Sequence, residues 1–126
     1  MLGPVVDPAA LLPEFSGKTT GVLIAEDRAP IFFGSGPRTG ARFPFSQADG
    51  HVETQGATWM GQNNVTEATM YHNSPNGTCG NCDYYLPTFL QNGSSLKVVP
   101  PTNAVAPTPR WIDVPKTYVG NANSQF

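Results

Sequence analysis

The sequence predicts an α/β fold, a mixed β-sheet with helices packed on it. Three observations predict it. Short β-branched and aromatic runs alternate with two longer stretches that carry helical spacing and helix start and stop signals. The length, 126 residues, fits one domain with a core that needs no disulfide staples. Gly and Pro number 13 each, so turns and loops punctuate the chain throughout.

The elements follow in order. Residues 1–16, with "GPVVDPAALLPEFS" inside them, read as a linker or N-terminal strap, and residues 17–126 as the folded domain. "TTGVLIA" (19–25) and "IFFGSG" (31–36) flank the turn "EDRAP" and predict a β-hairpin. "GPRTGARFPFSQADG" (36–50) is a long loop of the kind that often carries function. Residues 51–64 predict a helix: Val52, Gly56, Trp59 and Met60 form one stripe, and Asp49 is the expected N-cap. "EATMYHN" (67–73) predicts a strand and "SPNG" a turn. A second helix is expected to start on Thr78 as N-cap and to close at Gly93, with Pro87 kinking or splitting it. "SLKVVP" (95–100) predicts a strand. Residues 110–120 predict one or two more, broken at Pro115.

Charged residues make up 13% of the chain, against roughly 25% in ordinary globular domains. Net charge is −2, which excludes the strongly basic footprint of a tight non-specific nucleic-acid binder. A brief encounter with nucleic acid through a small local patch stays open. No apolar run approaches the about 18 residues of a membrane helix, and the N-terminus lacks the basic and apolar regions of a signal peptide.

The only two cysteines fall together in "TCGNC", at Cys79 and Cys82. In the first turn of a helix they share a face, and the helix dipole favours their thiolates. A redox pair and half of a metal site both suit that placement. Against the redox pair, the residues ahead of Cys79 are Gly77 and Thr78, and the pair falls late in the chain. A disulfide at this spacing in a helix is strained. "HVE" at 51–53 decides for metal. If two helix N-termini meet, His51, Cys79 and Cys82 supply three zinc ligands and leave a fourth position open for water, as in catalytic sites. Glu53 then stands beside that position and can move a proton from the water to a substrate nitrogen. This H-x-E plus C-x-x-C pattern is the signature of zinc deaminases acting on nucleobases. His72 is the rival ligand; without a carboxylate at equivalent spacing it is expected to be a satisfied loop or core residue.

"GHVETQGATWM", "ATMYHNSPNGTCGNC" and "LKVVPP", in that order, resemble the bacterial secreted DNA cytosine deaminase toxins of the cytidine deaminase-like superfamily. The resemblance spans about residues 17–122, "GNANS" included. It implies a three-layer α/β sandwich with a five-stranded mixed sheet, Zn2+ held by His51, Cys79 and Cys82, Glu53 as proton shuttle, and conversion of cytosine to uracil in DNA. It also implies a monomeric toxin module of an interbacterial effector, delivered by a bacterial secretion system into the cytoplasm of a target cell and countered by an immunity protein in the producer. Two departures matter. Thr78 stands where wider deaminase patterns have Pro. Asn81 occupies the slot between the cysteines where some double-strand-acting relatives carry an aromatic. That slot and the low positive charge favour single-stranded over double-stranded DNA. Tyr84, Tyr85 or Phe45 could supply the missing aromatic.

Substrate contacts are expected from Ser35 and Asn73 at strand ends, from Asn81, and from Phe45 stacking on the base. Arg42, Arg38 and Lys97 are expected at phosphates. Alternatives are a deaminase of RNA or free nucleosides, or a zinc-stabilised binding module without catalysis. Loss of turnover with retained zinc on changing Glu53 separates the last of these from an enzyme.

Overall fold

The computed structural model describes residues 7–35 and 51–121. Phe45, Arg42, Arg38 and the expected Asp49 cap lie outside the described residues. The order is a 3-10 turn at Pro8–Leu11, β1 (Thr20–Ile24), β2 (Ile31–Gly34), α1 (Val52–Gln62), β3 (Glu67–His72), α2 (Gly80–Phe89), β4 (Ser95–Val99) and β5 (Lys116–Val119). The five strands make one mixed sheet in the order β2-β1-β3-β4-β5, the α/β architecture expected.

The hairpin forms as read: β1 pairs antiparallel with β2, Leu23 opposite Ile31. β1 also pairs antiparallel with β3, Leu23 opposite Met70. β3 and β4 run parallel, with Met70 opposite Val98. A parallel pair cannot be closed by a hairpin, and α2 is the crossover between the two strands. β5 returns antiparallel on β4, with Tyr118 opposite Leu96.

These registers put Leu23, Met70, Leu96, Val98 and Tyr118 on one face. There they join Ala57 and Met60 of α1 and Cys82, Leu86 and Phe89 of α2 in one buried cluster. Each large side chain fully buried there contributes about 1.5–3 kcal/mol. α1 is covered nearly all round: Val52 to Thr58 and Met60 are all buried. Of the predicted stripe, Val52, Gly56 and Met60 are buried and Trp59 is half-buried, and they are only part of the helix's covered surface. The Pro8–Leu11 turn packs on β1 and β3, and Asn73 ties the segment after it by donating from Nδ2 to the Pro13 carbonyl at 2.9 Å.

Three boundaries differ from the sequence reading. The N-cap of α1 is His51, not Asp49. The N-cap of α2 is Cys79, not Thr78. α2 also stops at Phe89, short of the predicted Gly93, within a turn of Pro87. Pro87 lies inside α2, where its missing N–H and its ring weaken the turn before it, and the helix runs two residues past it before stopping. Gly93 instead turns the chain into β4 with φ 87°. The stretch 110–120 yields one strand, and Ile112 forms an isolated antiparallel bridge with Thr78.

Candidate active site

α1 and α2 pack against each other, and the pattern of caps shows what meets at their N-terminal ends. A helix normally starts on a Ser, Thr, Asp or Asn that bonds the first free N–H groups. Here His51 and Cys79 hold those positions, and neither side chain makes a cap hydrogen bond. They turn toward each other's helix. His51 Nδ1 lies 3.0 Å from Cys82 Sγ, and the same ring hydrogen-bonds the Cys79 side chain. Both thiols are free. Glu53, 4% exposed, stands in the first turn of α1, close enough for its charge to act on both His51 and Cys82.

The two sulfurs sit in opposite environments. The Cys79 thiol is held below its usual range, first by its bond to His51, against the burial that opposes it. Backbone N–H groups of Asn81 and Cys82 add to the lowering. Burial pushes the Cys82 thiol well up, and the nearby Glu53 carboxylate and Cys79 push the same way. His51 is raised above its ordinary value, chiefly by its bond to Cys79, with burial opposing. The pair Cys79–His51 therefore leans toward thiolate and imidazolium, while Cys82 keeps its proton and shares it with its neighbours.

One imidazole nitrogen and two thiols are the donor set of a zinc site with an open position. Among the described residues, no three His, Cys, Asp or Glu side chains are disposed as a ready-made metal cage. The donor set fits zinc in kind: around a shared tetrahedral zinc, nitrogen and sulfur stand about 3.6 Å apart, and here the His51–Cys82 pair stands at 3.0 Å.

His72, the rival ligand, is buried with both ring nitrogens engaged. Nδ1 accepts from the Ser74 N–H at 3.1 Å, so Nε2 carries the proton and donates to Thr78 Oγ1 at 3.2 Å. Burial lowers its pKa. It braces the turn ahead of Cys79, as a satisfied core histidine. The same turn is held by the Thr78–Ile112 bridge, with N–H···O distances of 2.7 and 2.9 Å. Gly77 makes the bridge fit: its φ is 88°, and a Cβ there would lie 2.3 Å from the Ile112 carbonyl oxygen.

Ser35 accepts the Thr19 N–H at 3.0 Å. Asn73 accepts the Thr20 N–H at 2.8 Å and donates to the Pro13 carbonyl, so both ends of its amide hold backbone. Asn81 is half-buried in the first turn of α2, between the cysteines. Lys97 does not reach the site. It lies on the opposite face of the sheet, in an open groove with Ile24, Thr69 and Thr117. Sequence reasoning missed Asp83, which follows Cys82 and accepts from Lys116 Nζ at 2.6 Å and from Tyr118 OH at 2.7 Å. Only the sheet brings those three together, so no spacing in the sequence could have signalled it. Burial and the bond to Asp83 push the Tyr118 phenol far up.

Fold and site together define an α/β domain with an imidazole, two thiols and a buried carboxylate gathered at two helix ends. The chain belongs to the SCP1.201-like deaminase family, whose profile matches residues 24–109. It is 34% identical over 128 residues to the double-stranded DNA deaminase toxin A of Burkholderia cenocepacia (strain H111), an alignment covering 98% of this chain. The chain spans 9% of that relative's length. Among the described residues no helix is long and apolar enough to cross a membrane.

Proposed function

We propose that this domain is a zinc-dependent deaminase that converts cytosine to uracil in DNA. The observation that carries it is the meeting of His51, Cys79 and Cys82 with buried Glu53 beside them, in a member of a deaminase family. His51, Cys79 and Cys82 would hold the ion. When bound, zinc supplies a Lewis acid with one open coordination position. The remaining work belongs to the chain. Glu53 accepts a proton at its carboxylate and returns it to nitrogen, so that cytosine and water become uracil and ammonia. Burial of Glu53 keeps bulk water from competing for that proton. Ser35 and Asn81 are the candidates for holding the base, with Phe45 stacking on it and Arg42 at a phosphate. Asn73 is assigned to anchoring the segment before β1.

The substrate proposed is duplex DNA, in line with the name of the relative that matches 98% of the chain. That replaces the single-strand preference drawn from Asn81. By the same likeness we propose a delivered toxin module, acting as a monomer on DNA in the target cell's cytoplasm and restrained by a cognate immunity protein. The test incubates purified protein with single- and double-stranded cytosine oligonucleotides and reads uracil by excision and strand cleavage. Wild type yields uracil; Glu53→Gln yields none while binding one zinc per chain. Zinc-loaded wild type that makes no uracil in either form overturns the reading.

A further inference from the structure

Basic residues are scarce in this chain, and their positions narrow what can touch a nucleic-acid strand near the site. Arg28 lies over the Trp59 ring at 5.4 Å and bonds the Asn63 carbonyl, at the far end of α1. Lys97 is on the other sheet face. Lys116 is held by Asp83 at 2.6 Å. Lys18 is exposed just ahead of β1. Arg110 differs by its place beside the cysteine-bearing turn. It is exposed, and among the described residues its guanidinium forms no ion pair.

Its place is set by backbone. The Thr78–Ile112 bridge lays residues 110–112 alongside the cysteine-bearing turn. The carbonyl oxygen and Cβ of Arg110 stand 2.9 and 3.1 Å from where a Gly80 side chain would begin. Gly80 lies between the two cysteines, and Tyr84 is one helical turn beyond it on the same face of α2. Tyr84 is 73% exposed, and Tyr85 braces its ring edge-on at 4.9 Å. Trp111 is half-buried beside Arg110. A guanidinium without an ion pair among the described residues and an exposed, braced ring thus flank the helix end that carries both thiols.

We propose that Arg110 and Tyr84 form the surface that holds the DNA strand next to the target cytosine, Arg110 on a backbone phosphate and Tyr84 stacked on a neighbouring base. This rests on the DNA reading above and adds the residues that grip the strand. Guanidinium matches phosphate in charge and geometry. Extruding a base exposes the π-face of its neighbour, and an aromatic ring beside the site covers that face without regard to sequence.

The experiment measures DNA binding by fluorescence anisotropy on a labelled cytosine oligonucleotide duplex between 50 and 200 mM salt, with uracil formation measured in parallel. Arg110→Gln should lower the slope of log affinity against log salt by about one. Tyr84→Ala should weaken binding about 5- to 150-fold, and Tyr84→Phe should restore it. Zinc content and urea midpoint serve as folding controls. Unchanged slope in Arg110→Gln together with unchanged affinity in Tyr84→Ala overturns the proposal. If the wild type makes no uracil, the deaminase reading fails on its own, while anisotropy still decides whether this surface binds DNA.

Discussion

Gly77→Ala tests how the cysteine turn is held, because Gly93 supplies an internal control. Both glycines have nearly the same backbone, φ 88° at Gly77 and 87° at Gly93. Around Gly93 a Cβ meets nothing within 4 Å. Gly93→Ala should therefore cost only the left-handed backbone penalty, roughly 1–2 kcal/mol. At Gly77 the same penalty applies and the new Cβ would also lie 2.3 Å from the Ile112 carbonyl oxygen and 2.9 Å from its carbon. Backbone cannot rotate away, so residues 110–112 must move off. That breaks the two Thr78–Ile112 hydrogen bonds, worth about 0.5–1.5 kcal/mol each. The expected loss is about 2–5 kcal/mol for Gly77→Ala, exceeding Gly93→Ala by about 1–3 kcal/mol. Urea unfolding of the two variants beside wild type measures the difference. Gly77→Ala should also lower zinc retention, since its turn delivers Cys79. Equal stability losses in the two variants would refute the reasoning, because only the bridge distinguishes them.

Asp83→Ala should cost about 1–3 kcal/mol by leaving the buried Tyr118 hydroxyl without its acceptor, with at most about 1 more from the exposed Lys116 pair. Tyr118→Phe should cost about 0.5–1.5 kcal/mol, and urea unfolding of both checks the order. Because the folded pKa of His72 is lowered by burial, the unfolded chain takes up its proton first as pH falls. Its contribution to stability is complete above the ordinary histidine value of 6.5 and declines below it, by up to about 1.4 kcal/mol per pH unit. His72→Gln should flatten that part of a stability-against-pH profile relative to wild type, and an unchanged difference across pH 5 to 7 would sink the claim. Chelation should abolish turnover, and one zinc per chain should restore it. Since Cys82 holds its proton tightly, zinc binding should release protons and strengthen as pH rises, which calorimetry in buffers of differing ionisation enthalpy will show.

Much of this was legible in the sequence because the signals were local. β1 and β2 announced themselves as apolar runs either side of a turn, and α1 as a stripe ending in Asn. The boundaries that failed were the two N-caps. Asp49 and Thr78 are the residues capping preferences select, yet His51 and Cys79 start the helices. Capping chemistry gives way where side chains are needed across the helix ends, so the misreadings fall on the candidate ligands themselves. Asn73 and Lys97 depend on long-range structure instead. Asn73 sits at the predicted strand end but spends its amide on a segment 53 to 60 residues away. Lys97 alternates to the outer face of β4, a matter of register that the sequence leaves open until its pairing partner is known.

The sheet order has a consequence for anyone trimming the protein. The stretch that the family profile matches, 24–109, begins on the last residue of β1 and stops before β5. Excising it would leave β2 without the strand it pairs with, since β1 is its neighbour among the described residues, and would bare a long flank of β3 and another of β4. Such a fragment should precipitate by edge-to-edge growth rather than act as a smaller enzyme. What the family profile recognises here is shorter than what must be synthesised together for the sheet to close on its neighbours.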